Sequence, residues 1–537
     1  MTLQASDKEF RHAGISYMDY KQIEMDRVLT AFLPRLWWEG QPSVLARSAD
    51  LSIDDFVQTF QEHPDRFADF DNETTYRWLE THLLDVVSRG RPTQAVAGLR
   101  PLHGFTYRFR NARRSRPYGA DEQLYEMILH ARDGRGPSTL NRLREFFFEG
   151  VDQRTELPDL GVEVDVETQA LISLAQAVRE QITDRKASTA RRSYPPLFQE
   201  ASELLADDVL RLLFHQEFIP RSVLVEQLKI LFAFHLALYH LKITKLLPAM
   251  IRDGRSRPSG GFFLDAVGIA GTPTAKLAER SARVWYGRIP DFVKATFTVR
   301  RLEDLAQRLV RRDQLGRPAD GFFSVEELLA LLEPMYREHR DRYAEARLEA
   351  IEPSRPAADE ADETVAAIRQ LGLDEFTTYI EVITAYRIGF HRKYFTEALD
   401  SLLLKNRPGA MIEQPRRGGR RFVLDGRLLE VLVQLALLRP GGSRGFHTER
   451  LRIDEFLNDL RVRYGLHIDR LPDGDGFGRT SIVEQAALRA NVDAFTARLR
   501  EIGFYNDLSD AYLTQVIVPR YNVPADAPPV GRVNRRS

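Results

Sequence analysis

The sequence predicts a mainly α-helical, multidomain protein with a winged-helix-like module near its C-terminus. Three observations carry that prediction. Apolar residues recur at helical spacing through most of the chain, without the strand-helix alternation that a parallel sheet requires. The most apolar stretch, 204–250, carries Leu212, Leu213 and Phe214 before Pro220 and Leu228, Leu231, Phe232 and Leu236 after it, so two helices should form an antiparallel hairpin in the core. Residues 428–438, 453–464 and 481–502 read as three helices, closed by Gly503 and a strand-like run at 514–518, which is the order of a winged helix-turn-helix.

A chain of 537 residues exceeds what one hydrophobic core organises, so two to four domains are expected. Composition divides it into an N-terminal helical region with a short basic strand (1–200), a central helical core (201–352), an acidic linker and helix pair (353–415), the winged-helix-like domain (416–521) and a disordered tail (522–537). Lysine and arginine number 76 against 77 acidic residues, so nucleic-acid binding has to come from a local patch. The absence of cysteine excludes disulfides, thiolate metal sites and cysteine nucleophiles, and fits a cytoplasmic location. The N-terminus has no apolar signal region, and the segment 223–241, interrupted by Glu226, Lys229, His235 and His240, reads as a buried core helix rather than a membrane span. No membrane partner is expected.

Taken in order, 17–38 reads as an amphipathic helix ending near Pro34, followed by helices at 54–61 and 74–87. At 105–110 the aromatic residues Phe105, Tyr107 and Phe109 alternate with Thr106, Arg108 and Arg110, and Arg113, Arg114 and Arg116 follow; this predicts a strand with a basic face. It is either a phosphate grip or a solvated strand with salt-bridging arginines. Helices are expected at 124–130, at 138–148 with Ser138 as N-cap, and at 167–182. Between them, Asp159, Glu163 and Asp165 invite comparison with the carboxylates of a metal-dependent nuclease, but the lysine usual in that motif is missing and an acidic loop before a helix is the simpler reading.

His235 and His240, about 140° apart on a helix, read as satisfied core residues rather than a metal pair. The glycine-rich segments 259–261 and 268–276 lack a Gly-Lys-Ser/Thr core, so they are connectors and no cofactor is expected. Helices resume at 293–312, 324–332 (with a Ser324/Glu327 capping box) and 336–351, then at 376–388 and 394–404 beyond the linker. A basic turn contributes Arg416, Arg417, Arg420 and Arg421. On the last long helix, started by a Ser481/Glu484 capping box, Thr496 and Arg500 oppose the apolar Phe495 and Leu499, with Arg498 on the flank. Asn491 either breaks this helix in two or lies inside one. The arginines and Thr496 are the candidate DNA contacts; the apolar helix 428–438 equally suits docking to protein.

The run Phe495-Thr496-Ala497-Arg498-Leu499-Arg500-Glu501-Ile502-Gly503-Phe504-Tyr505, with Gln515-Val516-Ile517-Val518-Pro519-Arg520-Tyr521 after it, resembles the C-terminal part of large accessory proteins of bacterial anti-phage islands. With its length and helical content, the chain resembles the accessory subunit of methylation-associated defence systems. That resemblance implies a partner in a multi-protein, restriction-like system containing a methyltransferase and ATPases, and carries no catalytic residue; with the C-terminal module, the leading expectation is a non-enzymatic component that contacts double-stranded DNA or other defence subunits. A metal-dependent nuclease effector and a transcriptional regulator are the alternatives.

Overall fold

The computed structural model describes residues 3–44, 51–351, 360–505 and 516–526, apart from positions 69, 92, 160, 180, 181, 183, 189, 190, 319 and 417. The predicted linker tip (352–359), Arg417 and the tip of the predicted wing (506–515) lie outside the described residues. Helices dominate, eighteen of them α-helical among the described residues, and strands occur only as short pairs.

The central element is helix Arg221–Asp253, entered through Pro220 and stopped by Gly254 at φ 65. Its apolar residues are distributed all round the axis rather than along one stripe, which is the pattern of a helix surrounded by protein. Leu228, Phe232, Leu236, Leu241 and Leu247 are fully buried, and 83% of its most apolar window lies inside the protein. Helices Glu200–Leu213, Met25–Trp37, Ile289–Arg311, Glu375–Leu403 and Gly426–Ala436 all pack on it. The predicted hairpin across Pro220 is present, and His235 and His240 are core residues: His235 Nε2 lies 2.9 Å from Asp208 and His240 Nε2 2.8 Å from Ser16 Oγ.

Five expectations are corrected. The helix expected over 17–38 begins at Met25 and runs through Pro34 to Trp37, because a proline so near the end removes only one backbone bond. The predicted helix 74–87 divides into helix Asn72–Trp78, a π turn and strand Leu84–Val87; the β-branched pair Val86-Val87 favours antiparallel pairing with Ala95–Leu99. The predicted basic strand is a 3-10 helix, Gly104–Phe109, with every residue buried. Helix Arg135–Phe147 starts before Ser138, capped by Gly134 at φ 70; Pro137 then sits in the first turn, where its missing N–H is not needed.

Beyond the linker, the expected helix pair is one helix, Glu375–Leu403, with Gly389 inside it. Packing against Ile289–Arg311 outweighs the roughly 1 kcal/mol by which an interior glycine disfavours helix. The Ser324 and Ser481 capping boxes form as expected.

The C-terminal segment follows the order helix Gly426–Ala436, hairpin Leu438–Pro440 with Phe446–Thr448, strand Leu451–Arg452, helix Ile453–Asp459, strand Leu466–His467, helix Ile482–Glu501 and strand Val516–Ile517. Asn491 lies inside one long helix, fully buried, accepting from Ala266 N–H and donating to Leu264 and Ile468 carbonyls. Val516–Ile517 pairs antiparallel with Leu451–Arg452 on one side and bridges Tyr505 on the other. Leu466–His467 pairs in parallel with Phe262–Phe263, so this segment shares a core with the central region. Of the predicted tail, 522–526 are described, and Val523 lies against the hairpin with its carbonyl accepting from Thr448 N–H at 2.9 Å; 527–537 lie outside the described residues.

Candidate nucleic-acid interface

The fold separates the sequence-predicted arginines into two populations. Arg108 is 4% exposed; it donates to Glu156 at 2.7 Å and to Asp184 at 3.3 Å, and lies 3.9 Å over the Phe105 ring. Arg108 serves the interior, and with every residue of Gly104–Phe109 buried there is no basic strand face here; Arg110, at the end of that turn, is half-buried. Arg113, Arg114 and Arg116 do gather, with Arg27 and Tyr118, around a cleft of about 350 Å³.

In the C-terminal set, Arg421 is 2% exposed and donates to Glu413 at 2.5 Å and to the Gly268 carbonyl, with Asp265 at 3.6 Å. It cannot touch a ligand. Thr496 is buried, its hydroxyl bonded to the Val492 carbonyl, and Arg498 donates to the Leu424 carbonyl. Arg500 is exposed, 5.1 Å from the Tyr505 ring centre. Arg416 is exposed, and Arg420 pairs with Asp400 at 2.6 Å while stacking 4.3 Å over Tyr286.

Arg420 belongs to a cleft of about 830 Å³ with three walls, among whose lining residues are Glu279, Arg283, Tyr286, Arg392, Lys393 and Glu397. The first wall is helix Pro273–Gly287, started by Pro273 and by Thr272, whose hydroxyl accepts from Ala275 N–H. The second is helix Glu375–Leu403. Phe376, Tyr379, Ile383, His391, Phe395 and Leu402 form its buried side. Burial, with the nearby Arg387, lowers the His391 imidazole to about 4, so it is neutral at pH 7, stacked 3.9 Å from Phe10. The third wall is the loop between strands Ile412–Glu413 and Arg421–Phe422. Buried Arg421 anchors that loop at its base, and Gly419 lets it approach Glu279, since a Cβ there would stand 3.4 Å from the Glu279 side chain.

Arg283, Arg392 and Arg416 are exposed and have no ion pair or internal hydrogen bond among the described residues, and Lys393 only a 4.0 Å contact to Glu397. Aromatic rings interleave with these cations on the outer side of the second helix. Arg387 lies 4.2 Å over Phe390, which is 47% exposed and packs 4.5 Å from Tyr394. A larger cavity of about 1000 Å³ also holds arginines, but Arg35, Arg191 and Arg300 there are already paired with Asp121, Glu126 and Asp304.

Against known families, the chain matches the model of methylation-associated defense system protein MAD7 over residues 5–521. The chain belongs to this family. A comparison with curated proteins gives no match.

In this family member, two of the three acidic residues of the nuclease alternative are engaged by local groups. Asp165 caps helix Val166–Ala177, accepting from Thr168 N–H at 2.9 Å and Thr168 hydroxyl at 2.7 Å; Asp159 accepts from Gly161 N–H at 3.0 Å; Glu163 is exposed. No cluster of three or more histidine or carboxylate groups suited to a metal occurs among the described residues. The cleft residues that sequence reasoning missed are Arg283, Arg392 and Lys393. A signal for two of them was present: Arg387, Phe390, Arg392, Lys393 and Tyr394 form a basic-aromatic run, concealed by ending one helix at 388 and starting the next at 394.

Proposed function

We propose that this protein serves its methylation-associated defence system as a DNA-contacting component rather than as a catalyst, gripping the sugar-phosphate backbone in the cleft between helices Pro273–Gly287 and Glu375–Leu403. The observation that carries this reading is that Arg283 and Arg392, from two helices, line one open cleft without an ion pair among the described residues, although Glu279 and Glu397 line it too, while exposed Arg416 lies on the loop that forms its third wall. Unpaired guanidinium groups beside exposed rings favour a phosphate chain with bases to stack. What supports a winged-helix reading of the C-terminal segment is the strand Val516–Ile517 after the last long helix, paired with Leu451–Arg452 on one side and Tyr505 on the other; the hairpin Leu438–Pro440 with Phe446–Thr448 and the strand Leu466–His467 are additions to that pattern. Its basic turn supplies Arg420 to the cleft and carries the exposed Arg416.

The test is binding of the full chain to a labelled duplex across a salt series. The logarithm of affinity should fall linearly with that of salt concentration, and Arg283→Ala, Arg392→Ala and Arg416→Ala should each make the slope shallower by about 0.9. Affinity indifferent to salt overturns the proposal. Divalent-dependent cleavage abolished by Asp159→Ala would favour the nuclease instead. A second reading, docking to partner subunits, is favoured by Ile482 and Val483, 84% and 68% exposed at the start of helix Ile482–Glu501. Val483→Asp releasing a co-purifying subunit while leaving duplex affinity unchanged would separate that surface from the cleft.

A further inference from the structure

A different kind of cavity, about 400 Å³ in volume, lies between helix Glu200–Leu213 and the central helix Arg221–Asp253. His235, Leu238, Tyr239 and Lys242, spaced three, four and seven residues along the central helix, present one face to it. Met127, Phe198 and Leu204 complete an apolar wall. Its volume falls within the range of small-molecule sites.

The charges lining the cavity are matched, with one exception. Arg135 pairs with Glu203 at 3.4 Å, Arg463 with Asp207 at 2.8 Å, His235 with Asp208 at 2.9 Å, and Glu200 with Arg257 at 3.5 Å. Lys242 has no hydrogen bond and no ion pair among the described residues. Burial lowers its ammonium to about 8 against the opposing pull of Glu200. Lys242 is half-buried, and its ammonium meets the cavity without a bonded counter-charge.

We propose that this cavity binds a small organic monoanion, its acidic head on Lys242 Nζ and its apolar body against Phe198, Leu204 and Leu238. One negative charge is the limit, because Glu200, Glu203 and Asp207 line the same cavity and repel a second. A cationic head is excluded by Lys242 itself, and a neutral head leaves the ammonium unpaired.

Octanoate, octanol and octylammonium, titrated into the full chain by ligand-observed NMR, test the assignment. Octanoate should bind about tenfold more tightly than octanol, equivalent to about 1.4 kcal/mol, and octylammonium not at all. Lys242→Met should abolish that preference while melting no lower than the natural protein, since it removes an unpaired charge; Lys242→Arg should retain it. Acetic anhydride should modify Lys242 more slowly when octanoate is present. Absence of octanoate binding at millimolar concentration, equal binding of octanol, or an unchanged preference in Lys242→Met overturns the proposal.

Discussion

In segment 108–116 the guanidinium of Arg108 rests on Glu156 and Asp184, whereas in segment 387–420 those of Arg392 and Arg416 meet no carboxylate. Both segments are arginine-rich and aromatic, and in sequence they look alike. The difference is set by what the fold brings to them from elsewhere: Glu156 and Asp184 are 48 and 76 residues from Arg108. The same division falls within one loop, where Arg421 is enclosed by Glu413 and Asp265 while Arg416 faces solvent. A basic cluster is a binding surface only for those members that the core has not already engaged.

The largest expected effect tests the enclosed class. Arg421→Ala leaves Glu413 and Asp265 without their partner and should lower stability by about 3–5 kcal/mol in urea or thermal unfolding. Arg392→Ala, on the exposed face of its helix, should change stability by no more than about 0.5 kcal/mol. Equal losses in the two variants would erase the distinction between the arginines.

The two faces of helix Glu375–Leu403 offer a comparison at closer range. His391 on the inner face has its imidazole lowered to about 4, against an ordinary value of 6.5. In that window the unfolded chain takes up a proton that the folded protein refuses, so stability falls as pH drops from about 6.5 to about 4 and levels off below. His12 and His240, also lowered to about 4 by burial, act in the same direction. His391→Phe, placed between Phe10 and Phe297, should flatten the decline between pH 6.5 and 5, where few carboxylates titrate. An unchanged slope would mean that the inner face is wetter than its packing indicates.

The outer face should respond to ligand instead. Reversing both cations of that face with Arg392→Glu and Lys393→Glu should weaken duplex binding at least tenfold and reduce the salt slope by about 1.8, with little change in unfolding. Arg108→Ala should do the opposite, lowering stability and leaving the salt slope of the folded fraction as it was. A slope that changes with Arg108 and not with Arg392 would place the interface at the wrong end of the molecule.

What the sequence made legible was local. The capping boxes at Ser324 and Ser481, the break at Pro220 and the apolar core helix at 223–241 depend on neighbours within a few residues, and each appears as expected, the last within a longer helix. What it concealed depended on distant partners. Alternation at 105–110 mimicked a strand because Phe105, Tyr107 and Phe109 are all needed inside a tight 3-10 corner, along with the residues between them. The parallel pairing of Phe262–Phe263 with Leu466–His467 joins segments some 200 residues apart, and no periodicity announces it. Of the cleft, only the basic turn was visible, and even there Arg421 and Arg416 could not be told apart before Asp265 and Glu413 were placed.

Gly389 separates the two readings of the basic-aromatic run, and the effect expected there is the smallest. It is exposed inside helix Glu375–Leu403, and a Cβ at this position meets nothing within 4 Å. Gly389→Ala should therefore stabilise the protein by about 0.5–1 kcal/mol, the ordinary gain of alanine over glycine in a helix. Because Phe390, Arg392 and Lys393 already sit on a continuous helix, the same variant should bind duplex with unchanged affinity. If affinity falls while stability rises, the glycine works as a hinge, and the cations reach the backbone only when the helix bends. The rigid cleft would then be one of two states, and the contrast between engaged and presented arginines would become a contrast in time as well as in space.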